Sequence, residues 1–262
     1  MKRILLFIFF LVLITLLFFV FREKVKTKIF RVVHRYENYI YKDWRSSDIN
    51  NSLEEVIGKY PDNIFGLDIS GYQGKINWEK LGNIKENVPV SFIIIRATAG
   101  KNHQDKQFAV NWQKAKEKGI IRGAYHYYRP NENSELQAKN FINHVNLEKG
   151  DLPPVVDLEE HSVVQSMTSL KKGLKNWCDI IEKEYGVKPI IYTSEKFYLS
   201  YLNSSTFNKY PLWIANHKNR PLLNNFLIWQ FTSTGRVDGI NGYVDINMLN
   251  GHNKKLSQYL IK

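Results

Sequence analysis

From Ile64 onward, runs of apolar and β-branched residues alternate with segments of helical period. Short apolar runs that are bounded by turn residues predict strands. Eight such runs occur, in the order IFGLDIS, VSFIIIRAT, IRGAYHYY, LPPVVDLE, KPIIYTS, PLWIANH, FLIWQFT and YVDIN. The repeated order of strand, helix and strand as far as Leu202 predicts a parallel sheet with helical crossovers.

The helical segments are marked by their ends. DKQFAVNWQKAKEKG closes on Gly119, and MTSLKKGLKNWCDIIEKEYG closes on Gly186, as glycine caps do. NSELQAKNFINHV opens with Ser134 and Gln137 at capping-box spacing. The last three strands follow one another through short polar or Gly-rich connections that have no room for helices. We therefore expect an α/β fold, a TIM-like barrel of the (β/α)5(β)3 type, with a doubly wound open sheet as the alternative.

The N-terminal segment has a different pattern. Residues Ile4 to Phe21 carry no charge, and Thr15 is their only polar residue. At about 1.5 Å of rise per residue, a helix of this length is just able to span the hydrocarbon of a bilayer. The run ends in Phe19, Val20 and Phe21 and is followed by Arg22, whereas a cleavage site usually has small residues. This predicts an uncleaved signal anchor, a transmembrane helix over residues 1–21, with a cleavable signal peptide as the alternative.

Composition and charge complete the domain organisation. A hydrophobic share of 44% supports one packed domain, which we place at residues 63–250, with a tail at 251–262. The net charge of +12 is concentrated near the anchor, where residues 22–45 hold eight Lys or Arg against three acids. We interpret residues 22–62 as a basic stalk and linker beside lipid headgroups. A nucleic-acid partner is not expected, since no nucleic-acid-binding motif accompanies the charge. Cys178 is the single cysteine, so no intramolecular disulfide can form.

Acidic residues stand at the ends of several predicted strands. They are Asp68, Asp157, Glu159 and Asp245. The carboxyl ends of barrel strands form one mouth, so these four side chains are expected to converge there. Because strand side chains alternate between faces, Asp157 and Glu159 should point the same way, Leu158 into the helix layer and Glu160 away from the pocket.

Two carboxylates on one face are suited to cleaving a glycosidic bond. One gives a proton to the leaving oxygen, and the other stabilises positive charge at the anomeric carbon. The alternative is that strand-end acids cap helices or hold turns. The G-x-S-x-G, H-E-x-x-H, P-loop and G-x-G-x-x-G patterns do not occur in the sequence, and no histidine has metal-ligand spacing. No metal and no cofactor are therefore expected.

Aromatic residues lie at or near the same strand ends, where flat rings could stack on sugars. They are Tyr72, Tyr125, Tyr127, Tyr192, Trp213 and Trp229. His126 joins them as a candidate substrate contact. Core packing is the alternative role for each of the seven.

Eight sequence blocks of the chain together resemble glycoside hydrolase family 25, the muramidases often called Chalaropsis-type lysozymes. The resemblance covers about residues 64–250. It is carried in family order by GLDISGYQGKINW, FIIIRATAG, NWQKAKEKGIIRGAYHYYRP, LPPVVDLE, KPIIYTS, PLWIA, IWQFTSTGRVDGI and VDIN. It implies a flattened barrel of five β/α units plus three strands, and hydrolysis of the β-1,4 bond between N-acetylmuramic acid and N-acetylglucosamine in peptidoglycan.

By position, the resemblance makes Glu159 the general acid. It makes Asp157 the residue that either orients the N-acetyl group of the substrate for internal attack or acts as nucleophile. Asp68 and Asp245 become acids that position the substrate. The partner would be the glycan strands of peptidoglycan, which lie outside the cytoplasm, so the anchor would be oriented N-in and C-out. A hydrolase of chitin-type polymers and a non-catalytic wall-binding barrel are the alternatives, and no protein partner is evident.

Overall fold

The computed structural model describes residues 53–251 and 256–262. In this part of the chain, eight strands close into a barrel. They are β1 Phe65–Ile69, β2 Phe92–Ala99, β3 Ile121–Tyr127, β4 Val155–Asp157, β5 Ile190–Ser194, β6 Leu212–Ala215, β7 Ile228–Gly235 and β8 Val244–Leu249. A two-stranded ribbon (Asn83–Lys85 with Val88–Pro89) and the short strand His103–Gln104, which pairs with β2, lie beside the barrel.

Strands β1 to β7 pair side by side in parallel, in chain order. Strand β8 is antiparallel to both β7 and β1 and closes the barrel between them. The expected closure is confirmed, and the open sheet is excluded. The expectation that all strands are parallel is wrong at β8, because the eight residues 236–243 that join it to β7 form a hairpin and are too few for a crossover.

Helices cover the outside of the barrel. They are α1 Leu53–Lys59, α2 Phe108–Glu117, α3 Ser134–Ile142, α4 Met167–Tyr185 and the short α5 Glu195–Phe197, which continues as a π-turn over Tyr198–Leu202. Gly186 ends α4 with φ 70°, as its position predicted. The expected capping box of α3 is replaced, because Asn133 caps the helix and Gln137 is buried under it.

Side-chain alternation divides the core into two layers. The barrel interior is filled by Ile94, Val155, Ile190 and Ile228, among others. The layer between barrel and helices contains the residues of opposite parity, such as Leu158, which is fully buried there as expected. A residue at an odd or even strand position therefore belongs either to the barrel interior and its mouth or to the helix layer.

The segments predicted to flank the barrel also contact it. Val56 of α1, within the predicted linker, is buried in the outer layer. Leu256, within the predicted tail, is buried in the barrel-interior cluster, and Ile261 exchanges backbone hydrogen bonds with Asp151 and Gly150. Residues 4–21 and 22–52 lie outside the described part of the chain. Among the described helices, none has the length and apolar character needed to cross a bilayer.

Candidate active site

The carboxyl ends of β1 and β4 and the amino end of the antiparallel β8 bring the predicted acids together. Asp68 in β1 and Asp245 in β8 are Cα partners in the antiparallel pair, so their side chains lie on the same face. Asp157 ends β4 and is only 5% exposed. Glu159 follows just beyond that strand end, at the surface. The negative charges of Glu159 and Asp68 both raise the pKa of Asp157, which places the three carboxylates within electrostatic range of one another.

The strand that carries the acidic run is shorter than the sequence indicates. Strand β4 stops at Asp157, so strict alternation does not continue to Glu160. The hydroxyl of Tyr127 donates a hydrogen bond to Oε1 of Glu160 at 2.8 Å, and Tyr127 is the Cα partner of Asp157 in the neighbouring strand. The expectation that Glu160 points away is therefore corrected: its carboxylate lies beside the pocket face, and its charge also raises the pKa of Asp157.

Asp157 is a buried acid with an unused acceptor. Burial is the main cause that raises its pKa well above the ordinary value, followed by the charges of Glu159 and Asp68, while Arg96 opposes the shift. Its Oδ1 atom is buried and accepts no hydrogen bond from the described residues. Buried polar atoms are nearly always satisfied in native proteins. An oxygen left open at the mouth of a barrel is therefore suited to a group of the substrate.

Asp68 is held from below by two amides. Gln230 Nε2 and Asn247 Nδ2 both donate to its Oδ2 atom, at 2.9 and 2.7 Å. Burial raises the pKa of Asp68 to about 6, and these two donors lower it by stabilising the ionised form. The same oxygen takes both bonds, so the carboxylate is fixed in orientation.

A second tier of donors orients those amides. Trp213 Nε1 donates to Oδ1 of Asn247 at 2.8 Å, and the Tyr192 hydroxyl donates to Oε1 of Gln230 at 2.9 Å. The rings of Tyr192 and Trp213 lie 4.4 Å apart and are almost fully buried. These two predicted sugar contacts therefore support Asp68 through the amides. Tyr192 also lies beside the acids, since it is the Cα partner of Asp157, and burial and then the charges of Glu159, Asp157, Asp68 and Asp245 raise its pKa. His217 Nε2 also lies 3.1 Å from Oε1 of Gln230.

Arg96 is a site residue that the sequence reasoning missed. It stands in β2, and its Nε donates to Oδ2 of Asp105 at 2.8 Å. Its guanidinium carbon lies 4.8 Å from the centre of the Tyr72 ring, and its charge lowers the pKa of Asp157. The signal was present, because an arginine inside the apolar run FIIIRAT at the parity of Ile94 must face the barrel interior or its mouth.

Three further predicted tyrosines lie with the acids. Tyr125 is the Cα partner of Arg96, and its pKa is raised by burial and then by the charges of Asp68 and Asp157. Tyr127 contacts Glu160 as described. Tyr72 is 86% exposed, on a short 3-10 turn directly after β1.

His126 and Trp229 are not brought to the mouth, and we remove them from the predicted set of substrate contacts. His126 Nδ1 lies 2.7 Å from Thr98 Oγ1, and its ring stacks on Trp177 in the helix layer. Burial lowers its pKa to about 4. Trp229 is 1% exposed in the same layer and donates from Nε1 to the Asn216 carbonyl at 2.8 Å. Both residues have the outward strand parity, so their side chains point away from the acids.

The described residues contain no group of three or more His, Cys, Asp or Glu side chains placed to hold a metal ion. The mouth instead combines carboxylates, one arginine and tyrosine rings. Such a set can donate a proton, stabilise a positive charge and accept a hydrogen bond from a neutral polymer.

Comparison with known proteins agrees with this chemistry. The family model described as Glycosyl hydrolases family 25 matches residues 67–240. The Escherichia coli (strain K12) protein YegX, which is itself uncharacterised, is 38% identical over 201 residues, covering 75% of this chain and 73% of that protein. Lysozyme M1 of Streptomyces globisporus is 30% identical over 234 residues, covering 79% of this chain and 78% of that protein.

Two solved structures share the fold. A bacterial lysozyme from Streptomyces coelicolor superposes with a TM-score of 0.67 at 30% identity, covering 75% of this chain and 96% of that one. A family 25 glycosyl hydrolase from Bacillus anthracis has the same score and identity, covering 75% of this chain and 93% of that one. The resemblance drawn from the sequence motifs is confirmed.

Proposed function

The chain belongs to glycosyl hydrolase family 25 and is a glycoside hydrolase, and we propose that it is a muramidase that cleaves the β-1,4 bond between N-acetylmuramic acid and N-acetylglucosamine in peptidoglycan. The lysozymes among its relatives support this substrate. The observation that carries the proposal is the pairing of the surface carboxylate Glu159 with the buried carboxylate Asp157, whose Oδ1 atom is left without a partner among the described residues.

In the proposed reaction, Glu159 gives its proton to the leaving glycosidic oxygen, and the C–O bond to the anomeric carbon breaks. Neighbouring negative charge favours the protonated form of an acid, and this cluster supplies it. Asp157 then has one of two roles. It orients the substrate N-acetyl group so that the acetyl oxygen attacks the anomeric carbon, or it attacks that carbon itself. Water then displaces that oxygen from the anomeric carbon and gives a proton back to Glu159, which completes the hydrolysis.

Two substrates distinguish these roles. Fluorination of the N-acetyl group weakens its oxygen as a nucleophile, so a steep loss of rate supports internal attack. A slow substrate that leaves one sugar covalently bound to Asp157, detected as a mass increase of the protein, supports direct attack. In both versions Asp68 and Asp245 position the substrate, and Asp68 does so from the fixed orientation that Gln230 and Asn247 impose.

Mass spectrometry of fragments released from purified sacculi tests the function. We expect new reducing ends on N-acetylmuramic acid. New reducing ends on N-acetylglucosamine, or release of peptides alone, would contradict the bond assignment. Faster cleavage of chitin oligomers would favour the alternative substrate, and binding to sacculi without any cleavage would favour the non-catalytic wall-binding barrel.

We also propose that residues 4–21 anchor the protein in a membrane with its N-terminus in the cytoplasm and the barrel outside. The uncharged run of these residues and a substrate outside the cytoplasm support this orientation. Protease added to intact cells or spheroplasts should digest the barrel. Protection of the barrel until the membrane is opened would reverse the topology.

A further inference from the structure

Two large tyrosines are exposed beside the acids. Tyr72 is 86% exposed and Tyr243 is 56% exposed. Contiguous exposed apolar surface with a polar rim marks ligand-binding grooves, whereas single exposed apolar residues are common, so the occurrence of two such rings at one mouth is what points to a ligand. Tyr243 is more than half exposed, so core packing does not account for its position.

The strand geometry places Tyr243 above the acids. On β8, Asn247 donates to Asp68, and Asp245 is the Cα partner of Asp68. Side chains two positions apart point to the same side of a strand, about 7 Å from each other. Tyr243 directly precedes β8, and the amino end of β8 lies at the mouth because this strand is antiparallel to β1. Tyr243 therefore stands beyond Asp245, toward the open end of the barrel. The order Asn247, Asp245, Tyr243 therefore runs from the buried support to the exposed mouth.

Each exposed ring is backed by an arginine. The guanidinium carbon of Arg236 lies 4.6 Å from the centre of the Tyr243 ring, and that of Arg96 lies 4.8 Å from the centre of the Tyr72 ring. A cation over one face of an aromatic ring restrains the ring and leaves the other face open. Gln73, next to Tyr72, has its Nε2 atom 3.5 Å from the Tyr243 carbonyl, which joins the two loops. The rings are thus held in place before any ligand arrives, which lowers the entropy cost of binding.

We propose that Tyr243, held by Arg236, binds a sugar unit of the glycan strand beyond the two units that flank the cleaved bond, with Tyr72 as the neighbouring contact. This inference rests on the proposed function and extends it from the cleaved bond to the length of the substrate. A sugar ring presents flat C–H surfaces that match an open aromatic face, and the site is continuous with the acids. Because this unit does not react, its binding energy favours long glycan strands over short ones.

The test measures binding of two fragments to the full chain carrying Glu159→Gln, so that cleavage does not interfere. The short fragment spans only the cleaved bond, and the long fragment extends beyond it on both sides. We expect Tyr243→Ala to weaken binding of the long fragment about 10-fold, which corresponds to ~1.4 kcal/mol, and to leave the short fragment unchanged. Tyr243→Phe keeps the ring and should bind the long fragment as the parent does.

Two further variants complete the test. Arg236→Ala removes the backing cation, so it should weaken the long fragment less than Tyr243→Ala does. Val110→Ala changes an exposed apolar residue on helix α2 and should change neither affinity. The proposal is overturned if Tyr243→Ala leaves the long fragment unaffected, if it weakens both fragments equally, or if the parent protein binds the long fragment no better than the short one.

Failure of this subsite is distinguishable from failure of the proposed function. If the wild-type protein hydrolyses sacculi but Tyr243→Ala does not change the preference for the long fragment, the subsite is wrong and the muramidase assignment stands. If the preference for the long fragment depends on Tyr243 but the wild-type protein releases no reducing ends from sacculi, the muramidase assignment is wrong and the subsite stands.

Discussion

Nδ2 of Asn247 donates to Oδ2 of Asp68 over 2.7 Å, although the two residues are 179 positions apart in the chain. The bond crosses the seam where the last strand closes the barrel against the first. It stabilises an acid that burial alone would leave far less acidic. The pairing of strands that closes the barrel therefore also orients a carboxylate of the site.

Asp68→Asn should stabilise the protein near neutral pH. The pKa of Asp68 is about 6 in the fold against an ordinary 3.8, so the folded state binds the extra proton between these values. Stability therefore falls as pH rises from about 4 to 6, by an amount on the order of 3 kcal/mol for a shift of this size. Removing the charge should raise the melting temperature at pH 7 by roughly 6 to 12 °C, with little change at pH 4, while activity falls.

Thermal melts from pH 4 to 8 measure this effect. Asp238→Asn changes an exposed aspartate on the β7–β8 hairpin and serves as the matched control, with a melting temperature close to that of wild type throughout. A loss of stability in Asp68→Asn at pH 7 would show that the ionised acid contributes more through its two donors than its burial costs.

Arg96→Met should move the acid limb of the pH–rate profile to higher pH. The charge of Arg96 lowers the pKa of Asp157, so its removal raises that pKa and the ionised form then requires a higher pH. We expect the whole acid limb to move upward in pH, because a carboxylate that loses a cationic neighbour ionises less readily. Arg96→Lys retains the charge and should retain the profile. An unchanged acid limb in Arg96→Met would mean that Asp157 does not control it.

Glu159→Gln and Glu160→Gln should differ sharply although the residues are adjacent. The first removes the proposed proton donor, and general acid catalysis alone contributes roughly 10²- to 10⁴-fold. The second removes the acceptor of the Tyr127 hydroxyl and a charge that raises the pKa of Asp157, so its turnover should stay within about 10-fold of wild type. Release of reducing ends from sacculi measures both. Equal losses in the two variants would contradict the assignment of Glu159 as the general acid.

His126→Asn should reduce the loss of stability that the protein undergoes as the pH falls. Burial lowers the pKa of His126 to about 4 from 6.5, so the fold disfavours the charged ring and stability falls as pH drops from 6.5 to 4, by roughly 3 kcal/mol at most. Unfolding by denaturant at pH 7 and at pH 4 measures the difference. His103→Asn changes an exposed histidine and should lose as much stability between pH 7 and pH 4 as the wild type does. The same loss in His126→Asn would show that His126 does not contribute to the acid sensitivity.

The barrel and its acid-rich strand ends were predictable because they depend on local patterns. Apolar runs mark the strands, and Asp68 and Asp157 stand near the carboxyl ends of theirs. Asp245 reaches the same mouth from the amino end of β8, because that strand runs in the opposite direction. The two misplaced contacts were also open to sequence reasoning. His126 alternates with Tyr125 and Tyr127, and Trp229 with Ile228 and Gln230, so parity alone would have assigned both to the outer layer.

The sequence alone determined the number of barrel strands, the α/β order and the family, since each depends on local runs of residues. It also predicted which acids would meet at the mouth. Tertiary structure decided the rest. It reversed β8, ended β4 at Asp157 so that Glu160 turns to Tyr127, and joined Asp68 to Gln230 and Asn247. These contacts link residues far apart in the chain, and only the closed barrel sets the register and burial on which their distances and pKa values depend.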